Sequence, residues 1–523
     1  MLQGILTVGG WTMASRILGF ARDMLIAALL GAGPVADAFF LANRLPNLFR
    51  RLFGEGAFNA AFVPGFAGLL ASDGADAARR FAEQAIAVMA FWLVGITVLA
   101  EIFMPQLMGL YALGFTDDPA KFALTVELGR ITFPYMPLIC LTALLSGVLN
   151  GLDRFAAAAA APLIYNVVSI AFMLALPGIV PTVGHAAAWG VSVSGVAQLL
   201  LLYWAVARAG MRLHIPRPRL TPQMRTLFRR MAPGLLGSGV IQLNLAVDAF
   251  IAGLLPAGTV SVIYYADRIN QLPLGVIGAA VGTALLPTLS RQVNGETPGQ
   301  AVGTLNRAIE YALMLTLPAA LALLVAALPI ISVLFGRGAF SADDAARSAQ
   351  SLAAYAVGLP AFVLVKVLVP GFFARGDTSA PVWTGTAAVV LNLALNFAFM
   401  GPLQHMGPPA ASSVASWFNV GLLAWLLHKR GHMVADAGLR RRVPRMLAAG
   451  FVMCGVLWGV QNTLFAAMPA THGLRWVGLG LLVASGLAAY GVVGEVLGAF
   501  NLREAAATLR RRRKARGAGP GLR

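Results

Sequence analysis

Charge is scarce in this chain: Asp, Glu, Lys and Arg together make 11% of its 523 residues, whereas a soluble domain carries about 25%. So few charged side chains cannot coat a chain of this length in water. Lysine occurs only at positions 121, 366, 429 and 514, never after a glycine, which excludes the phosphate-binding P-loop, so ATP hydrolysis by this chain is not expected. The two cysteines, Cys140 and Cys454, sit inside apolar runs and read as small hydrophobes, with no disulfide framework or redox pair. His185, His214, His405, His428, His432 and His472 lack metal-ligand spacing, so no metal is expected. The alternating ten-residue segments of a membrane β-barrel are missing as well. No Lys or Arg precedes Arg16 and no small-residue cleavage site follows a short apolar core, so the first segment is expected to be a retained helix, not a signal peptide.

What the chain has instead is hydrocarbon: 58% hydrophobic residues and a mean hydropathy of +0.76. Runs of about 20 apolar residues, the length that crosses a bilayer as a helix, recur almost end to end. The spacing predicts an all-α integral membrane protein with fourteen transmembrane helices, the first eight at 5–30, 35–66, 81–110, 123–149, 159–179, 186–208, 231–255 and 261–289. The other six are expected at 306–334, 348–373, 380–400, 409–428, 446–467 and 475–499.

The net charge of +18 is spread unevenly over the connecting segments. Counting loops from an inside N-terminus, one side collects Arg79, Arg80, Arg154, the arginines of 208–230, Arg291, Arg307, Arg375, those of 429–445 and the tail Arg510 to Arg516. The other side holds only Lys121, Arg337, Arg347 and Arg475. This asymmetry predicts both termini in the cytoplasm and an even helix count. It also accounts for the positive charge without nucleic acid, and leaves the tail available to anionic headgroups.

A faint internal duplication runs through the chain. The same interval separates Arg44 in FFLANRLPN from Arg268 in IYYADRINQ, and Asp153 in NGLDR from Asp377 in ARGDT; Pro134 and Pro360 are nearly in phase with them. Two six-helix lobes, each with an even number of helices, are then expected to insert the same way, related by a pseudo-two-fold along the membrane normal. The expected organisation is an N-lobe over 1–224, a C-lobe over 225–435, an appendage of two helices over 436–500 and a basic tail over 501–523.

Ionisable residues inside the apolar runs carry the functional signal: Arg16, Arg22, Asp23, Asp37, Arg44, Arg50, Arg51, Glu55, Asp248, Asp267, Arg268 and Lys366. Each costs roughly 2.5 to 3.5 kcal/mol at the bilayer centre, so a wet cavity or a partner is expected. At helical spacing Thr12, Arg16 and Asp23 share one face of the first helix, with Arg22 beside Ser15 on an adjacent one. Asp37, Arg44 and Arg51 recur every seven residues on the second, with Asn47 and Glu55 on the same stripe, and Pro46 is expected to kink or break that helix. Arg22, Arg50 and Arg51 have a plainer explanation in snorkelling to an interface. Arg16, Arg44 and Arg268 would need Asp23, Asp37 or Asp267, and the six arginines outnumber these three acids. A positive, water-filled cavity lined by planar guanidinium forks suits a diphosphate.

The stretch SRILGFARDMLIAALLGAG at 15–33, followed by DAFFLANRLPNLFRRLFGEGAFNAAFVP at 37–64, resembles the signature of the MurJ (MviN) lipid II flippases. YYADRINQLPLGVIGAAVGTALLP at 264–287 and VKVLVPGFFARGD at 365–377 are similar to the same family, within the multidrug/oligosaccharidyl-lipid/polysaccharide exporter superfamily. The resemblance implies two lobes in a V around a central cavity in the cytoplasmic (inner) membrane. It also implies transport, not enzymatic turnover: export of the undecaprenyl-diphosphate-linked peptidoglycan precursor by alternating access, for cell-wall biogenesis and cell shape. By resemblance the cavity positions fall on Arg16, Arg22, Asp23, Asp37, Arg50 and Arg268, with Arg44 where many relatives have lysine. Arg51, Glu55, Asp267, Gln271 and Lys366 are accessory positions, and Gln271 stands where some relatives carry an acid. Helices 13 and 14 would hold the polyprenyl tail.

Some relatives bind sodium with an Asp on helix 7 and an Asn/Asp pair four apart on helix 11. Asp248, Asn392 and Asn396 fall in those places, but the second acid is absent, and ordinary helix–helix hydrogen bonding competes with monovalent cation coupling. Expected partners are lipid II, membrane lipids and other cell-wall synthesis proteins, with the chain itself monomeric. A multidrug/cation antiporter of the same superfamily would want unpaired acids, and a flippase for another polyprenyl-linked glycan would share the charge logic.

Overall fold

The computed structural model describes residues 2–50, 57–231, 250–293, 295, 298–468 and 472–500. Their regular structure is helical, apart from one isolated bridge between Pro177 and Val180. Ten of the described helical segments are long and apolar enough to cross a membrane, so the chain is a multi-pass helical membrane protein. Contacts divide it into two compact units, Met1–Tyr264 with Phe335–Asp344, and Tyr265–Leu334 with Ala345–Arg523.

The first unit contains α1 (Leu2–Leu30), α2 (Pro34–Arg50), α3 (Ala57–Ser72), α4 (Ala75–Ile102), α5 (Met104–Tyr111), α6 (Pro119–Thr132) and α7 (Tyr135–Gly151). It continues with α8 (Phe155–Ala175), α9 (Val183–Arg208) and α10 (222–231), and takes the first turns of α11 (Thr259–Val293). The second unit holds the rest of α11, α12 (Pro298–Val325), most of α13 (Ala327–Phe335), α14 (Ala342–Phe373), α15 (Ser379–Met400), α16 (Gly407–Lys429), α17 (Ala437–Val460) and α18 (His472–Val496).

Helix starts follow side-chain capping. Asp118 accepts from Ala120 N and Lys121 N ahead of α6, Thr182 from His185 N ahead of α9, and Asp436 from Leu439 N ahead of α17. Pro134 separates α6 from α7, which together form one apolar span over Pro119–Gly151 that contains the run expected at 123–149. Of the two outcomes expected at Pro46, a kink or a break, the break does not occur: α2 runs through it to Arg50.

In lipid, helices gain little from leaving water, so association rests on close packing of small residues. Gly190 of α9 is such a point, since a Cβ there would stand 3.1 Å from Ser169 Cα of α8. Gly195, one turn and a residue further on, faces α7, where a Cβ would meet the Tyr135 ring at 2.8 Å. In the second unit a Cβ on Gly358 of α14 would lie 2.8 Å from Ser413 Cα of α16. On α3 the four-residue repeat Phe58, Phe62, Phe66 forms a stacked ladder with centroids 5.1 and 5.8 Å apart, and Phe62 stacks on Phe81 of α4 at 5.4 Å.

Ion pairs mark two seams, one of them around the buried Glu310. Glu310 of α12 receives Arg307 Nη1 and Arg442 Nη1, each at 2.8 Å, which ties α12 to α17. In the loops of the same unit Asp377 pairs with Arg430 and accepts from Ser379 N and Ala380 N at the start of α15.

Candidate functional site

The apolar run of α1 places Arg22 and Asp23 next to each other, and both are buried. Neighbouring residues on a helix point about 100° apart, so the Arg22 side chain bends back to reach its neighbour: Nε and Nη2 donate to Asp23 Oδ1 at 3.2 and 2.8 Å. The same oxygen accepts the Tyr264 hydroxyl of α11 at 3.2 Å. Tyr264 in turn stacks on Phe40 of α2, with centroids 3.9 Å apart. The Arg22 guanidinium lies 4.9 Å from the ring centroid of Tyr165 on α8, a cation–π contact in a dry setting.

Tyr165 packs against Tyr135 of α7 at 5.6 Å, and the Tyr135 hydroxyl donates to Gln198 Oε1 of α9 at 3.5 Å. Arg50, at the end of α2, donates from Nε to Asn47 Oδ1 at 3.1 Å, and Asn47 is held by the Asn43 carbonyl at 2.8 Å. Arg22 and Arg50 both lie close enough to Tyr135 to act on it electrostatically. The Arg22–Asp23 pair and the Tyr135–Tyr165 contact thus form one tyrosine-lined polar place within the first unit. The hydrogen bonds Arg22 makes use Nε and Nη2, which leaves the Nη1 edge of its planar fork.

The other expected positions divide. Arg16 is exposed, and Arg44 is half-buried. Asp37 is buried against the start of α11: it accepts from Gly258 N at 2.6 Å, Ser261 N at 2.9 Å and Ser261 Oγ at 2.7 Å. Its fourth donor is Lys121 Nζ at 3.1 Å, and that ammonium lies 3.6 Å from the Phe115 ring centroid. Lys121, expected in an outer loop, is therefore buried at 7% exposure as the counter-ion of Asp37. In the second unit Gln271 Nε2 donates to Asp267 Oδ2 at 2.5 Å, and Lys366 lies against Gly278. Arg268 follows Tyr264 by one turn of α11 and is half-buried.

Asn392 and Asn396 are buried on α15, joined by Asn396 Nδ2 to the Asn392 carbonyl at 3.0 Å. Among the described residues no group of His, Cys, Asp and Glu is arranged to hold a metal ion. Arg51, Glu55, Asp248 and the basic tail lie outside the described residues. Sequence reasoning missed Tyr135, Tyr165 and Tyr264. Their one sequence signal is a hydroxyl-bearing ring beside polar residues inside an apolar run, as in IYNVV and YYADR.

A multi-pass helical membrane fold with a buried arginine on α1 and half-buried arginines on α2 fits the transporter class. A solved multidrug transporter of the MOP superfamily, in its inward-facing conformation, matches at a TM-score of 0.65 and 15% identity over 81% of this chain and 97% of that one. A solved lipid II flippase MurJ, in an inward closed conformation, matches at a TM-score of 0.76 and 22% identity over 94% of this chain and 98% of that one. The family model described as lipid II flippase MurJ matches residues 26–471. The probable lipid II flippase MurJ of Rhizobium meliloti (strain 1021) is 43% identical over 512 residues, 96% of this chain and 95% of the relative. The chain belongs to the lipid II flippase MurJ family, whose members are transporters and not enzymes.

Proposed function

We propose that this chain moves lipid II, the undecaprenyl-diphosphate-linked peptidoglycan precursor, from the inner to the outer leaflet of the cytoplasmic membrane by alternating access. The observation that carries the reading is the buried Arg22–Asp23 pair braced by Tyr165 and Tyr264 inside an apolar helix. A diphosphate brings charge-assisted acceptors that suit an arginine fork. Arg22, Arg50 and Arg268 are the guanidinium groups assigned to it, with Arg16 and Arg44 adding positive field.

Because Arg22 and Asp23 cancel, the pair contributes donor geometry and not net charge; the attraction for an anion comes from Arg16, Arg44, Arg50 and Arg268. Asp37 is assigned a different role, as the cap that ties α2 and α6 to the start of α11. The layout that goes with this reading is fourteen helices in a 6 + 6 + 2 arrangement with both termini cytoplasmic, the last two helices taking the polyprenyl tail. An inside-negative potential then favours outward movement of the anion by about 2.3 kcal/mol per charge per 100 mV. Asn392 and Asn396 are assigned to hydrogen bonding between helices in preference to a coupling-cation site with Asp248, because the second acid of such a site is absent.

The test is complementation of a strain depleted of its own lipid II flippase. Arg22→Ala and Arg268→Ala, each at wild-type membrane level, are expected to abolish growth and to let lipid II build up on the inner leaflet. Arg22→Lys keeps the charge but loses the fork, and partial growth is expected. Full growth with either alanine variant overturns the assignment of these arginines to the diphosphate.

A further inference from the structure

After α9 the chain runs without helix over 211–221 and is strapped across α4. Glu83 Oε1 accepts from His214 N at 3.0 Å, and Gln84 Nε2 donates to the carbonyls of Arg217 at 3.3 Å and Arg219 at 2.8 Å. The Thr221 hydroxyl accepts from Met224 N at 3.3 Å and opens α10. From 211 to 231 the sequence contains Arg212, Arg217, Arg219, Arg225, Arg229 and Arg230 and no acid. On α10 Met224, Leu227 and Met231 are buried, while Arg225, Arg229 and Arg230 are exposed.

A mostly apolar furrow of about 290 Å³ runs along this helix. One wall is Ala61, Gly65 and Leu69, a four-residue repeat down α3, together with Phe81 of α4. The facing wall is the α10 stripe Pro222, Thr226 and Arg230, also four apart, which ends in a guanidinium. Gly65 sets the width: a Cβ there would meet nothing nearer than the Phe81 ring at 3.6 Å, an ordinary contact.

We propose that this furrow binds one anionic glycerophospholipid of the cytoplasmic leaflet, with an acyl chain along Ala61, Gly65 and Leu69 and the phosphate on Arg230. The ligand must be amphiphilic, because an apolar trough and a cation occur in one site. It must be net anionic, because the 211–231 segment holds arginines without acids and repels the headgroup cation of a zwitterionic lipid. The leaflet follows from the cytoplasmic placement of the 208–230 arginines proposed above. A bound lipid in this place fixes the 211–231 strap and α10 against α3 and α4.

The experiment is native mass spectrometry of the full chain in detergent, titrated with dioleoyl-phosphatidylglycerol or dioleoyl-phosphatidylcholine. Expected is one saturable phosphatidylglycerol adduct, undisturbed by millimolar inorganic phosphate. Gly65→Leu, which fills the trough, is expected to remove it, whereas Gly65→Ala keeps it. Arg230→Ala is expected to reduce the preference for phosphatidylglycerol by about fivefold, the effect of one arginine at an anionic surface. If Gly65→Leu lowers the melting temperature, Thr226→Trp blocks the furrow from its exposed rim and should also remove the adduct. Equal binding of the two lipids, an adduct that survives both blocking variants, or displacement by phosphate overturns the proposal.

Discussion

The Asp23 carboxylate takes hydrogen bonds from Arg22 and from the Tyr264 hydroxyl on one oxygen, so the hydroxyl helps to hold the arginine fork in place. Tyr264→Phe removes a bond to a charged acceptor, about 1.5 to 3 kcal/mol, and keeps the ring that stacks on Phe40. Transport of lipid II by this variant, measured in vesicles, is expected to slow about tenfold, together with a modest fall in melting temperature. Acid sensitivity belongs to two loop residues. The hydrogen bond from Arg430 and those from Ala380 N and Ser379 N hold the Asp377 carboxyl below its ordinary range, and burial, then Arg375 and Arg430, push His432 down. Both folded groups bind protons less readily than the unfolded chain, so stability falls on acidification, first below the ordinary histidine range and again below the ordinary aspartate range. Thermal melts against pH should lose the upper step in His432→Ala and the lower step in Asp377→Asn. At this scale Arg22 and Asp23 were legible because opposite charges side by side in an apolar helix have few explanations. Asp37 was not, because its partners at 121, 258 and 261 are set by packing that no local spacing encodes.

Helix α11 begins on a carboxylate, and that carboxylate is held by a lysine from α6. Removing Asp37 strands a buried ammonium, a loss of about 3 to 5 kcal/mol in buried pairs. Removing Lys121 leaves Asp37 with Gly258 N, Ser261 N and Ser261 Oγ. Asp37→Leu is therefore expected to lower the melting temperature more than Lys121→Met, and the double variant less than the sum of the two. Along the α12–α17 seam, Glu310→Gln weakens two arginine contacts at once. Hydrogen exchange over 437–446 should then rise about tenfold, with residues 155–175 unchanged as the internal control. The helices themselves were readable as apolar runs of spanning length. Proline was the harder part to read: Pro134 separates α6 from α7 inside one apolar span, while Pro46 sits inside α2 without ending it. Hydropathy does not report whether neighbouring groups re-satisfy the backbone that proline leaves open.

For the whole molecule, the proposed movement of an anion down an inside-negative potential gives a direct expectation. Collapsing the potential with a potassium ionophore in vesicles should slow outward lipid II movement by an order of magnitude or more per net charge carried. An unchanged rate would mean that another gradient supplies the direction. Residues 335–344 belong to the first compact unit although the chain has by then traversed 265–334 of the second. There Ala339 N donates to the Ala28 carbonyl at 2.8 Å at the end of α1, and Gly31 and Gly338 both adopt positive φ, at 62° and 61°. During synthesis the ribosome must therefore deliver more than three hundred residues before the amino-terminal half receives its last piece. A gene truncated after codon 264 would encode a protein lacking that piece, and coexpressing the two halves as separate polypeptides split there would leave the second to supply it in trans.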